Sequence, residues 1–409
     1  MDGAERVEPA VVFVGAWVPD LPVFHGSAFN RAGQMYQRGL ARAWSAAGLA
    51  PSTIYSIEPL PAFPRSARLF GRRGHVGVED GRIVRFLPFV NVHPLKAITA
   101  GLVTVGTLIG WAWRHRKQPR IIHCFNLTMP PGIFLLFAAR LTGSRAFVSL
   151  ADVCKPGAIV PDTWAWRLDY WLQRQIIPRF DGILLQSRAI ADELARGRHV
   201  CQINGGILGE CFAAAPVARS GEKPFRVVLA GSLEPYNGVD VVLQAFDDLG
   251  DDVALIVAGK GSAVDRVTRA AAGDPRITYV GELGFGALID LYRSADLLLN
   301  VRLTQAIDTH YFFPSKLMEL LASGVPVLST RSPDIVSEFG SLPYFLSEET
   351  PRAVADAIAA IARIPPDERR ERGRRAWRFM LEHRTWEAQG PAIRQYVKAE
   401  SPRAAEVPG

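Results

Sequence analysis

"HYFFPSKLMELLASGVPVLST", residues 310–330, sets a proline, a lysine and a glutamate ahead of a small-residue turn and a short apolar run. Leu317, Leu320 and Leu321 recur at helical spacing, Gly324 supplies a stop, and "VPVLST" reads as a buried strand. The spacing predicts a helix over 314–323 with Pro314 in its first turn, where a missing N–H costs nothing. The amides of Ser315 and Lys316 then point out of the helix start. Free amides, the helix dipole and the lysine charge together make an anion site. Glu319 lies one turn along the same face, placed to accept hydrogen bonds from vicinal hydroxyls as acidic residues do for ribose. Lys316 and Glu319 equally fit an i,i+3 surface pair worth about 0.2–0.5 kcal/mol.

The same strand–helix alternation extends outward in both directions. Upstream lie the strands "FRVVLAG" (225–231), "VALIVAG" (253–259), "ITYVG" (277–281) and "ADLLLNV" (295–301), with a helix at 238–249. The first half repeats the pattern: strands at 10–17, 120–125, 146–152 and 182–187, and helices at 30–48 and 130–143. Alternation of this kind predicts an α/β chain with parallel sheets covered by helices. Two doubly wound units are expected, with a brief hinge near Gly205–Gly209 and ligands beyond the carboxyl ends of the strands. "VAGKGS" places Gly259 and Gly261 around Lys260, and "YVGELG" places Gly281 after a strand. Neither completes a G-x-G-x-x-G or a P-loop, which counts against dinucleotide or ATP binding.

Composition narrows the class. With 409 residues, 48% hydrophobic and 21% charged, the chain reads as folded and too long for one ordinary core. Cys124, Cys154, Cys201 and Cys211 stand far apart and fit reduced thiols in a cytoplasm, with no metal-ligand spacing among them. The N-terminus lacks the pattern of a signal peptide. A net charge of +7 favours an anionic partner. No RNA-binding signature, zinc finger or helix-turn-helix spacing accompanies it, so nucleic acid is not expected. Residues 97–113, "AITAGLVTVGTLIGWAW", are uncharged and followed by "RHRK"; they read as a buried or interfacial helix, with peripheral membrane contact at the inner face as its functional form.

The segment "FFPSKLMELLASGVPVL" resembles the C-terminal half of retaining GT-B glycosyltransferases of the family 4 type, and more narrowly a bacterial subgroup with an FPSK signature. "VVLAGSLEPYNGVDVVLQAF", "LIVAGKGS", "ITYVGELG", "LYRSADLLLNVR" and "TWEA" follow the family's order over roughly residues 225–390. Over residues 1–200 the resemblance is architectural. It implies two Rossmann-like domains facing a cleft: an acceptor domain at 1–205, a nucleotide-sugar domain at 206–386, and a segment at 387–409 crossing back to the first. It also implies transfer of a sugar from a nucleotide-diphosphate donor, with retained configuration and without a metal or other cofactor. The acceptor is expected to be a glycan, a lipid-linked molecule or a small molecule.

Carried over residue by residue, Glu319 matches the glutamate that holds the ribose, Gly281, Glu282 and Leu283 border the base, and Gly231 belongs to the phosphate-side loop. The expected donor set also includes Ser232, Asn237, Gly259, Lys260, Tyr311, Phe312, Phe313 and Ser315, with Gly26 and Ser27 from the turn beside His25. Three positions depart from the wider family. Ser232 and Asn237 stand where an arginine and a lysine are usual, Tyr311 where a glutamate is usual, and Phe125 where a histidine is common. Diphosphate charge is therefore expected to fall on Arg302, after its strand, and on Lys316. His123, Asn126 and Asp152, at strand ends of the first half, are the candidates to face the acceptor, although His123 equally suits a packed strand end and Asp152 a turn cap. The cluster Arg65, Arg68, Arg72 and Arg73 reads as a solvated loop, or as a contact for an anionic acceptor or headgroup. A binding subunit that has lost turnover, or a nucleotide-sugar epimerase, are the alternative functions.

Overall fold

The computed structural model describes residues 8–19, 31–79, 81–126, 131–151, 153, 155–157, 160–216, 223–305 and 315–400. Two compact units divide the chain, one running to Gly205 and resuming at Trp386, the other holding Gly206–Thr385 apart from a few residues outside the described set.

In the first unit the strands are β1 (Ala10–Gly15), β2 (Thr53–Ser56), β3 (Gly74–Glu79), β4 (Arg82–Phe86), β5 (Arg120–Phe125), β6 (Arg145–Leu150), β7 (Gly182–Leu185) and β8 (Cys201–Gln202). They form one sheet in the order β3-β4-β2-β1-β5-β6-β7-β8, parallel except for the β3–β4 hairpin. Central strands such as β1 and β5 are apolar runs buried on both faces, as parallel sheets require. Helices α2 (Leu95–Arg114), α3 (Pro131–Thr142) and α4 (Trp164–Ile176) share one core with the strands, built around Leu108, Trp111, Val148 and Phe180. Against the other face pack α1 (Arg31–Ala46) and the C-terminal helix Gly390–Ala399. That last helix is stitched in by Tyr396, whose hydroxyl accepts from the Ile183 amide at 2.8 Å and donates to the His199 carbonyl at 3.0 Å. Cys124 and Cys201 are buried there, and burial pushes both thiols up to about 12.

The one-turn α5 (Arg188–Ile190) and α6 (Gly209–Phe212) flank the passage into the second unit. There β9 (Phe225–Ser232), β10 (Val253–Lys260), β11 (Ile277–Tyr279), β12 (Leu297–Asn300), β13 (Val327–Ser329) and β14 (Tyr344–Phe345) are all parallel, in the order β11-β10-β9-β12-β13-β14. Counted from β9 this is 3-2-1-4-5-6, the doubly wound order, so the chain reverses direction between β9 and β12. The helices α7 (Val239–Ala245), α8 (Val264–Gly273), α9 (Phe285–Arg293), α10 (Ser315–Ala322), α11 (Pro333–Phe339), α12 (Pro351–Arg363) and α13 (Pro366–His383) cover the two faces. Leu317, Leu320 and Leu321 bury the inner side of α10.

Candidate active site

The crevice of a doubly wound sheet opens where the strand order reverses, here beyond the carboxyl ends of β9 and β12. Gly231 and Ser232 end β9, Gly259 and Lys260 end β10 in register with them, and Arg302 follows β12. Gly231 has φ +123° and Gly259 φ +136°, both outside the range side chains tolerate. Space forbids a side chain as well: a β-carbon on Gly259 would sit 1.8 Å from the Gly231 carbonyl oxygen. The backbones therefore meet closely, and the loop after β9 is free to approach a ligand.

That loop is clamped from within. Asn237 donates to the Ser232 carbonyl at 2.8 Å, the Leu233 amide donates to the Lys260 carbonyl at 2.8 Å, and Ala263 N–H reaches the Leu233 carbonyl at 2.9 Å. Glu234 accepts from the Ser262 amide at 3.1 Å and from its hydroxyl at 2.5 Å, and these bonds hold its carboxyl below the usual range. Asn237 thus closes the turn on which Ser232 sits. Lys260 pairs with Glu282 at 2.8 Å, both side chains exposed at the β10 and β11 ends, and the Gly259 amide bonds the Gly281 carbonyl at 2.7 Å.

Arg302 and Lys316 are differently placed. The Arg302 backbone is fixed by Thr330, whose hydroxyl accepts from its amide at 2.8 Å and donates to its carbonyl at 2.9 Å. Neither cation has a hydrogen-bond or ion-pair partner for its side chain among the described residues. Burial lowers both, and Lys316 falls to about 8, pushed first by desolvation and further by the Arg302 charge, with Glu319 opposing. Burial raises Glu319 to about 7 against the pull of Lys316, and the buried Tyr292 phenol beside it is raised by burial and by that carboxylate. A solvated i,i+3 pair would keep ordinary values and close its ion pair. Arg302 and Lys316 thus lie next to a glycine loop and a helix start, with Glu319 as the nearby carboxylate, in surroundings that would favour an anion.

Thr330 and Arg331 also border a groove of about 720 Å³ at the carboxyl ends of β12–β14, where Thr304 donates to Glu349 through both its amide (2.8 Å) and its hydroxyl (2.7 Å). No sequence motif marks these residues, because their roles depend on strands far apart in the chain. Among the described residues no three His, Cys, Asp or Glu side chains group as they would around a metal.

In the first unit the structure corrects the reading of His123 as a group facing a cleft. Its ring is fully buried, 4.2 Å from the Phe13 ring and 5.1 Å from Trp44, with Nε2 at 2.8 Å from the Ser149 hydroxyl. Burial drives it down to about 3, so it stays neutral and structural. Asn126 follows β5 with φ +43°; its amide donates to the Ser149 carbonyl and its side-chain oxygen accepts from Ala151 N–H, each at 2.9 Å. It holds the ends of β5 and β6 together. Arg68 and Arg72 converge on Glu58, at 2.6 Å and 3.1 Å, so they are not free to meet an anionic acceptor. Burial raises the Glu58 carboxyl, and the two arginines outweigh it to leave a net lowering. His25, Gly26, Ser27, Asp152, Tyr311, Phe312 and Phe313 lie outside the described residues, as does the side chain of Ser315; Leu283 is described and follows Glu282 beyond β11.

Two parallel doubly wound domains of this order define the GT-B class of glycosyltransferase folds. Residues 31–202 match the family model "Glycosyl transferase 4-like domain", and residues 224–363 match "Glycosyl transferases group 1". The chain is 29% identical over 133 residues to a GDP-mannose-dependent α-(1-6)-phosphatidylinositol dimannoside mannosyltransferase of Mycobacterium tuberculosis; that match takes in 32% of this chain and 33% of the relative. Among solved structures it is similar to the Anabaena protein HepE in complex with UDP (TM-score 0.63, 14% identity, 95% of this chain and 100% of that one). A glycosyltransferase from Rickettsia africae is similar too (TM-score 0.65, 12% identity, 96% and 98%), as is sucrose-phosphate synthase from Thermosynechococcus elongatus (0.62, 14%, 95% and 98%). Together these matches support a GT-B glycosyltransferase.

Proposed function

We propose that this chain transfers a glycosyl unit from a nucleoside-diphosphate sugar to an acceptor hydroxyl, with retention at the anomeric carbon and without a bound metal. The observation that carries this reading is the pair of cations, Arg302 and Lys316, whose side chains have no hydrogen-bond or ion-pair partner among the described residues, at the switch point beside Gly231. A nucleoside diphosphate brings about two to three negative charges, which a partly buried site must offset. Arg302 grips an oxygen pair with its planar fork; Lys316 adds a point charge beside the α10 amides. They take over the task that Ser232 and Asn237 cannot perform. Glu319 receives the ribose hydroxyls, and the backbone at Gly281–Leu283 borders the base.

In the transfer, the bond from the anomeric carbon to the phosphate oxygen breaks and the nucleoside diphosphate leaves with the electron pair. The acceptor oxygen bonds to that carbon on the same face, and its proton passes to the departing phosphate oxygen. No protein base is required, in keeping with a buried, neutral His123. The protein's contribution is positioning and stabilisation of the leaving charge. We place the reaction in the cytoplasm, with a glycan, lipid-linked or small-molecule acceptor. Purified protein is to be incubated with UDP-, GDP-, dTDP- and ADP-sugars, with and without EDTA. Chelator-resistant release of one nucleoside diphosphate supports the reading, and a protein that binds a nucleotide sugar without ever turning it over is a binding subunit instead.

A further inference from the structure

The helical layer over the first sheet has an apolar outer side. Of the sixteen exposed large hydrophobic side chains among the described residues, ten belong to α2, α3 and α4. On α2, Leu102 and Trp113 are 58% and 67% exposed and lie on one stripe with Ile109, opposite the buried Leu108 and Trp111. Phe137 and Leu141 of the adjoining α3 widen that stripe, and Trp171 of α4 extends the layer. A concentration of exposed apolar side chains of this extent marks an interaction site.

Charge identifies the occupant. No aspartate or glutamate stands between Asp80 and Asp152, while nine lysines and arginines do. Arg114, Arg116 and Lys117 close α2 without a carboxylate partner among the described residues, and the Arg116 guanidinium lies 4.8 Å from the Trp113 ring. A tryptophan beside arginines at the end of an apolar stripe suits the headgroup level of a bilayer. A second copy of the chain would set the same cations against each other, which anionic headgroups would instead neutralise.

We propose that the outer face of α2 and α3 docks onto the surface of an anionic bilayer, lying in the interface without crossing it. The 20-residue α2 is long and apolar enough to span. Its Leu108 and Trp111 are nevertheless fully buried in the domain core, so withdrawing the helix into lipid would uncover that core. The helix runs antiparallel to β5, which places its Leu95 end, like the starts of α3 and α4, at the carboxyl edge of the sheet. The inference rests on the first unit alone, and its failure would leave the transferase reading standing.

The test is flotation of the full chain with vesicles of phosphatidylcholine alone or with about one third phosphatidylglycerol. The expected result is at least about tenfold tighter binding to the anionic vesicles, weakened by high salt as charge is screened. The double variant Leu102→Asp, Phe137→Asp is expected to lose this binding while keeping the wild-type melting temperature and nucleotide affinity. Equal binding to neutral vesicles, resistance to carbonate extraction, or no binding at all overturns the proposal. So does a dimer, seen by light scattering without lipid, that the double variant dissociates.

Discussion

The ammonium of Lys316 lies against the α-carbon of Gly231: a β-carbon at that position would stand 2.8 Å from Nζ and 3.1 Å from Cε. The end of β9 and the start of α10, 85 residues apart in the chain, are thus fitted to each other through a residue with no side chain and one whose side chain carries the charge. Gly231→Ala is expected to displace the lysine and to strain a backbone at φ +123°. Calorimetric titration with UDP or GDP should show affinity reduced by about 1–3 kcal/mol, the scale of a lost charge-assisted contact. Unchanged affinity in a folded variant would mean that Lys316 has no part in binding.

Arg302→Ala and Lys316→Ala are each expected to lower kcat/KM about a hundredfold or more, a loss of about 3 kcal/mol of transition-state stabilisation. Arg302→Lys should recover little, because a point charge does not reproduce the planar fork. Steady-state kinetics with the preferred donor provides the check; near-wild-type values for both alanine variants would remove these cations from the mechanism.

Ionisation at Glu319 links function to stability. Its folded value, about 7, exceeds the 4.5 of an unperturbed glutamate, so the native state prefers the protonated form. The stability this provides is fully present below pH 4.5 and is lost as pH rises toward 7. Glu319→Gln removes that dependence. It should melt progressively higher than wild type between pH 5 and pH 8, while binding nucleotide more weakly. Lys316 has the opposite sense: its value is lowered to about 8, so donor affinity should fall as pH rises through 8 and the free ammonium is lost. Melting curves and titrations across this range test both.

His123 provides a contrast. Replacing its buried ring by alanine opens a cavity between Phe13, Trp44 and Ser149 and should cost about 2–4 kcal/mol of stability. The pH–rate profile should keep its shape. Loss of one limb of the profile at unchanged stability would show proton transfer that the buried, neutral ring does not allow.

What the sequence discloses follows the range of the forces involved. Apolar runs such as "AVVFVG" and "VALIVAG" announce central strands because burial on both faces leaves no room for polar residues. The β3–β4 hairpin is marked in the sequence only by an Asp-Gly dipeptide at 80–81 between two short segments. β8 and β14 are two residues long and leave no periodicity to find. The nearness of Arg302, Lys316 and Glu319 is legible from a strand end and a helix start. The burial of His123 is not, since it depends on Phe13 and Trp44 arriving from β1 and α1. Likewise the Arg68–Arg72 cluster reads as free charge until the fold brings Glu58 against it.

The central claim is that nucleotide-sugar turnover here is retaining and is sustained by Arg302 and Lys316. Proton NMR of a reacting mixture, followed at the anomeric resonance with EDTA present, tests it most directly. The account predicts a glycoside of the donor's own anomeric configuration appearing as nucleoside diphosphate is released, and neither signal from the Arg302→Ala, Lys316→Ala double variant. An inverted product, turnover that ceases with EDTA and resumes with Mg²⁺, or full activity in the double variant would contradict it.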